Sequence, residues 1–331
     1  MWRRQPIEAV LADPTTPPDV RSMLARIEDV RAFATDLGLE VGGQYTSYVD
    51  WPGDRVVTTL VRTREDSLET VPWRYPILGA LPYKGFFERE RAERAAERLR
   101  GETYQVCVSG VAAYSTLGWI DDPVTRPMLA RGPAVLVETI FHELVHATAF
   151  VPGDADFNEG VAQFIGQQAA IRYFEQNPPG DDTPEDWPDA ERVRGAIGDR
   201  TRVAELTLAF RDTLLELEDA PDRSAQRRAA EDALRRELAS LPLAVYDPAA
   251  VAVRARLSDP CVALRGTYVR DGPRHAAVLE ALGGSLPRMI ERLARWAAEG
   301  RAVESFFELR LHGDDEADAR RADPLDEEPG A

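Results

Sequence analysis

One pentapeptide constrains this chain more than any other stretch. It is His142-Glu143-Leu144-Val145-His146, set inside the apolar run 134–150 and followed by Asn158-Glu159-Gly160. Two histidines four residues apart lie on one face of an α-helix, one turn apart. Two imidazole nitrogens so placed can grip one tetrahedral metal ion. Val137, Phe141, Leu144 and Val145 recur at helical spacing, so the run predicts a helix packed on the core, with the polar triplet turned to the other side. Pro152-Gly153 predicts its stop. A string of this pattern arises by chance on the order of once per hundred chains of this kind.

A second helix is expected from about Phe157 to Gln176, with Glu159 in its first turn. A short loop can fold that helix back and aim Glu159 at the metal. Asp156-x-x-Glu159 also has the spacing of a capping box, in which Glu159 would bond back to the Asp156 amide and be lost to a metal. Two histidines alone leave zinc short of a third protein ligand, so ligation by Glu159 is the preferred reading. Asp154 or Asp156 is the alternative ligand.

These residue types predict a site for one zinc ion, at His142, His146 and Glu159, that drives peptide hydrolysis by water. Zinc lowers the pKa of a bound water to about 7 and polarises a carbonyl. Glu143 is then the general base that moves the water proton to the leaving amine. A developing oxyanion needs a further donor. Tyr83, Tyr114, Tyr268 and His275 are the candidates. For each tyrosine the plain alternative is a half-buried core residue with its hydroxyl satisfied.

The 331 residues are 44% hydrophobic and 29% charged, which suits a globular fold. A formal net charge of −17 argues against binding nucleic acid or anionic membranes. No transmembrane segment is visible, and the N-terminus lacks the apolar stretch of a signal peptide. Cys107 lies in an apolar run and reads as a buried strand residue. A disulfide between Cys107 and Cys261 is allowed by the count of two but not indicated.

Helix is expected over 20–37 and 86–99, and strands over 55–63, 75–81, 104–109 and 111–118. Residues 177–186 read as a loop. Helices over 203–218 and 223–240 should form a hairpin, followed by shorter ones near 274–282 and 286–299. The order predicts an α+β fold, with a small mixed sheet before the metal helix and a mostly helical C-terminal half. The expected organisation is one domain over 1–312, with a β-containing part at about 1–133, metal helices at 134–176 and a helical part at 200–300. The acidic segment 313–331 reads as a disordered tail.

Several segments together resemble the bacterial zinc aminopeptidases of the gluzincin-like group. Pro76-Ile-Leu-Gly79 with Tyr83-Lys-Gly-Phe86, the string Ala113 to Val124, Phe141 to His146, and Gly153-Asp154 through Phe157-Asn-Glu159 match that family in order and spacing. Arg31 to Leu39 also fits, and the likeness spans roughly residues 3–300. The resemblance implies a zincin-like core, zinc at His142, His146 and Glu159, and Glu143 as catalytic. It places the Tyr114–Gly118 strand near the site, and Tyr114 is taken as the second catalytic residue. Where the family often shows Asn-Asn-Ala ahead of a late tyrosine, this chain reads Asp259-Pro260-Cys261 before Tyr268. Family members commonly begin with a lipoprotein-like signal, and this chain starts partway into that pattern. A cell-envelope location follows from the resemblance alone.

The expected function is therefore a zinc metallopeptidase acting on the N-termini of peptides. Asp121, Asp122, Asp154 and Asp156 are candidates for holding the substrate amine. The alternatives are a zinc endopeptidase, or a metal-stabilised binding or envelope protein without turnover.

Overall fold

The computed structural model describes residues 4–65, 67–75, 79–111, 121–181, 183–218, 220–263 and 271–308. It is an α+β fold whose sheets lie early in the chain and whose second half is helical. The first strand, β1 (Gln5–Pro6), is followed by α1 (Ile7–Ala12), α2 (Pro18–Leu24) and α3 (Ile27–Asp36). The expected single helix over 20–37 is thus two, broken at Ala25-Arg26. Leu24, Ile27 and Val30 still share a buried face.

The described residues form three small sheets. β2 (Ser47–Val49) pairs antiparallel with β1 and parallel with β8 (Val124–Thr125). β3 (Val57–Arg64) is the centre of a second antiparallel sheet, between β6 (Tyr83–Phe86) and β7 (Tyr104–Val111). Its β-branched residues alternate across a sheet whose inner face, at Leu60, packs on Ala96 and Leu99 of α4 (Arg89–Gly101). The strand expected over 75–81 is instead two short antiparallel strands, β4 (Trp73–Tyr75) and β5 (Gly79–Leu81). Residues 112–118, read as a strand, lie outside the described residues, as does the tail at 313–331.

The core is built around two antiparallel helices. After the short α5 (Arg126–Leu129), α6 (Pro133–Thr148) starts with Gly132 at φ 81° and Pro133 at its first position, where the missing amide costs nothing. α6 packs against α7 (Ala155–Gln176). Ile140, Phe141 and Leu144 of one and Val161, Ile165 and Phe174 of the other are all but fully buried. Small residues let the two backbones meet. A Cβ on Gly166 of α7 would sit 3.1 Å from the His142 amide nitrogen and 3.2 Å from the Glu138 carbonyl oxygen.

The remaining helices buttress this pair. α8 (Ala190–Glu216) packs on α7 and forms the expected hairpin with α9 (Arg223–Ser240). α8 begins well before residue 203, because Asp189 caps it by accepting from the Arg192 amide. α10 (Pro248–Arg254), α11 (Asp259–Val262), α12 (Gly272–Ala281), α13 (Leu286–Ala298) and α14 (Val303–Phe306) follow among the described residues. Among the described residues no helix is long and apolar enough to cross a membrane.

Cys107 of β7 and Cys261 of α11 form a disulfide, with their Cα atoms 5.1 Å apart. The sequence did not indicate this bond, since only the packing of α11 on the β3–β7 sheet brings the two together. Its neighbour Asp259 is fully buried and paired with Arg227 at 2.9 Å. The Asp259-Pro260-Cys261 stretch is thus given over to a cross-link and an ion pair.

Candidate metal centre

The site forms where α6 and α7 run past each other, and the turn between them aims it. α6 ends at Thr148, earlier than Pro152-Gly153 predicts. The Thr148 hydroxyl donates to the Leu144 carbonyl at 2.7 Å. Asp154, not Asp156, caps α7 by accepting from the Phe157 amide at 3.0 Å. The Asp156–Glu159 capping box is therefore not formed, and Glu159 falls in the second turn. Asn158 locks the turn. It is 3% exposed, donates to the carbonyls of Val151 (2.7 Å) and Asp154 (2.8 Å), and accepts from the Val151 amide (2.9 Å). Phe157 anchors the same turn in the C-terminal helices, its ring 4.9 Å from Trp296 and 5.3 Å from Phe306.

With the turn so held, His142, His146 and Glu159 converge and form a cluster able to hold a metal ion. The two Nε2 atoms are 3.1 Å apart, His142 Nε2 is 3.4 Å from Glu159 Oε2, and His146 Nε2 is 3.7 Å from Glu159 Oε1. Bonds of about 2.0–2.1 Å at tetrahedral angles space ligand atoms about 3.3–3.4 Å apart. The three separations bracket that spacing, those to Glu159 ending on its two different oxygens, so the size and the N, N, O chemistry of the cluster fit one tetrahedral ion with a fourth position left over.

The electrostatics agree. Burial disfavours a charged Glu159, but hydrogen bonds from both imidazoles outweigh it and hold the carboxyl below the usual carboxylate range. Burial likewise disfavours a charged His142. Glu159, Glu143 and Glu138 overcome this and raise its pKa. The pocket thus concentrates negative potential on the His142 imidazole, as a cation site requires.

A supporting network lies one turn further along both helices. Glu138, four residues before His142, accepts from Gln163 Nε2 at 2.8 Å and pairs with Arg200 of α8. Arg200 also reaches the Tyr246 hydroxyl at 3.3 Å. Glu138 and Gln163 precede and follow the cluster at helical spacing, so their alignment was there to be read.

The other candidates part company. Tyr114 and Tyr268 lie outside the described residues. Tyr83 is exposed on β6. His275 is fully buried on α12, its ring 5.7 Å from that of Phe164 and 5.1 Å from that of Phe307, and burial pushes its pKa down to about 4. Such an imidazole belongs to the aromatic core and is not placed to serve substrate. Asp154 is occupied as a cap, Asp156 is exposed, and Asp122 is 7% exposed.

One residue that the sequence reading passed over stands by the site. Tyr45 is 3% exposed, with its backbone in the left-handed region at φ 59°. Burial raises its phenol pKa well above 10.0, and the charge of Glu143, then that of Asp122, raises it further. No periodicity marks a tyrosine in a glycine-rich turn, so nothing local could have found it.

A family model described as "Putative aminopeptidase" matches residues 1–305. The chain belongs to this aminopeptidase family. No curated protein and no solved structure matches the chain. Family and cluster together support a metallopeptidase-like function.

Proposed function

We propose that this chain is a zinc-dependent aminopeptidase of the gluzincin type, with one zinc ion held by His142, His146 and Glu159. The observation that carries the reading is the donor triangle, two nitrogens and one carboxylate at near-tetrahedral spacing on two rigid helices. When bound, zinc supplies a polarised scissile carbonyl and a water acidic enough to attack near neutral pH.

The chain's own groups do the rest. Glu143, in the same turn as both histidines, takes a proton from the attacking water as the new C–O bond forms. It returns that proton to the nitrogen as the C–N bond breaks, so a carboxylate and a free amine leave. Glu138, Gln163 and Arg200 keep α6 and α7 in register under the ligands. Tyr114 retains its proposed part as a donor to the oxyanion. A carboxylate among Asp121, Asp122, Asp154 and Asp156 is our proposed anchor for the substrate amine.

The Cys107–Cys261 disulfide supports an oxidising compartment, such as the cell envelope. The test is a pool of free and N-acetylated peptides incubated with zinc-loaded protein and with its Glu143→Gln variant, read by mass spectrometry. Stepwise loss of N-terminal residues from free peptides alone, absent in the variant, is expected. Internal cleavage of acetylated peptides would make it an endopeptidase. No cleavage of either pool would sink the peptidase reading.

A further inference from the structure

A cavity of about 530 Å³ opens between α9, the segment 255–258 and Gln105 of β7. Arg227, Arg228, Glu231 and Arg235 line it from α9, and Arg256 lines it from the facing segment. Four arginines against one acid reverses the balance of the whole chain, which has 57 acids and 40 bases. α9 itself carries its charge against its dipole. Aligned peptide dipoles favour acids in the first turn of a helix and bases in the last. α9 has no acid in its first turn and no base in its last, while Arg223, Arg227 and Arg228 all fall within its first two turns.

Two of the four lining arginines are fixed. Arg227 donates to Asp259 (2.9 Å), to Glu231 (2.8 Å) and to the Leu257 carbonyl (2.8 Å). Arg235 donates to Glu231 and to the Ala252 carbonyl, each at 2.9 Å. The other two are exposed and keep donors to spare. Arg256 uses one nitrogen, on Ser109 Oγ at 3.1 Å, and Arg228 has no ion pair or hydrogen bond among the described residues. The facing wall is fixed as well. The Ser258 carbonyl accepts from the Cys261 amide at 2.8 Å, and the bond from Cys261 to Cys107 ties that wall to the strand carrying Gln105.

Charge and size select the ligand. Glu231 in the lining and Asp259 behind Arg227 offset two of the four guanidiniums, which leaves a surplus of two positive charges. A phosphate monoester carries about −1.5 to −2 at neutral pH and offers three strong acceptor oxygens, which suit guanidinium forks. A cavity of this volume takes a small molecule and has room beyond the phosphate for what it is esterified to. We propose that the cavity is a second ligand site, which binds the phosphate of a phosphomonoester between Arg228 and Arg256, with Arg227 and Arg235 supplying fixed positive charge. It shares no residue with the metal centre and does not rest on the peptidase reading. A soluble ester and the headgroup of phosphatidic acid present the same chemistry.

The test is a ³¹P NMR titration of glycerol 3-phosphate with the zinc-loaded, full-length chain. The phosphorus line should shift and saturate. In the double variant Arg228→Ala with Arg256→Ala, affinity should fall about ten-fold or more, the scale of a lost charge-assisted hydrogen bond, while Tm holds. Arg236→Ala with Arg254→Ala removes the same charge from exposed positions outside the cavity and should leave affinity nearly unchanged. No saturable shift with the wild-type protein overturns the proposal. So does an equal loss in both double variants, which would make the attraction a general charge effect. Affinity untouched in Arg228→Ala with Arg256→Ala also overturns it and would put the phosphate elsewhere, such as on the zinc. Once the site stands, sedimentation with phosphatidylcholine vesicles containing phosphatidic acid separates the two sources. Vesicles that carry down the wild type but not Arg228→Ala with Arg256→Ala assign the lipid headgroup, and any other result assigns a soluble ester.

Discussion

Replacing Gly166 by alanine sets two effects of opposite sign against each other. Alanine in a helix interior is favoured over glycine by about 0.5–1 kcal/mol, because less backbone entropy is lost on folding. Against this, the new Cβ would lie 3.1 Å from the His142 nitrogen, 3.2 Å from the Glu138 oxygen and 3.2 Å from the His142 Cα. All three are backbone atoms of α6, so no side chain can swing away. Carbon contacts prefer about 3.5–4.0 Å, so the helices must separate by several tenths of an ångström. Overpacking of this kind costs about 1–3 kcal/mol. The clash should win, with a net loss of about 1–2 kcal/mol. Because His142 and Glu159 sit on opposite helices, the same displacement stretches the donor triangle and should weaken zinc binding about ten-fold or more. Gly198→Ala in α8 is the control, since a Cβ there meets nothing within 4 Å and only the entropy gain remains. Calorimetry and chelator competition on both variants read the two effects. A Gly166→Ala protein as stable as Gly198→Ala, with wild-type zinc affinity, would refute the claim that this contact sets the spacing of the site.

Three further expectations follow from the same geometry. Glu159→Ala should lower zinc affinity about a hundred-fold or more, since it removes a ligand itself and not a supporting group; unchanged metal content would return Glu159 to a structural role. His275 titrates at about 4 in the folded chain and near its ordinary 6.5 in the unfolded one. Between those values the unfolded chain binds the extra proton, so stability should fall as pH drops from about 6.5 to about 4, by about 3 kcal/mol in total. His275→Phe should flatten that slope in denaturant titrations, and parallel curves for the two proteins would contradict the assignment. Opening the disulfide, which spans a sequence separation of 154, should cost about 5 kcal/mol by chain entropy. A guanidinium midpoint that does not move in Cys107→Ser with Cys261→Ser would show that the bond constrains little.

What was legible in the sequence divides from what was not by the range of the interactions involved. α6 was legible because its apolar residues repeat at helical spacing and the two histidines share that period. Glu159 was legible as a candidate but not as an outcome. Whether it capped its helix or faced the cluster turned on Asp154 winning the cap from Asp156. The early part of α8 escaped notice because Val193 and Ile197 are thinly spread among charges, although both are buried against the core. The strand expected over 75–81 resolved into paired segments, since short apolar stretches do not announce where they reverse. Asn158 was in plain view beside Glu159, yet its part in locking the turn depends on carbonyls at Val151 and Asp154 that only the folded loop brings within reach.

By itself the sequence determined the donor types, their order, and the helix that sets His142 and His146 one turn apart. Those follow from residue identity and a local period of 3.6. Only the tertiary structure decided that α7 folds back at a distance matching a single ion, that Cys107 meets Cys261, and that Tyr45 is buried in the same core as the metal helix. These depend on close contacts between segments far apart in the chain, above all the glycine contact at 166 and the hydrogen bonds that tie Gln44 and Tyr45 to Asp122. No local pattern encodes such contacts, because each becomes favourable only once its distant partner is already in place.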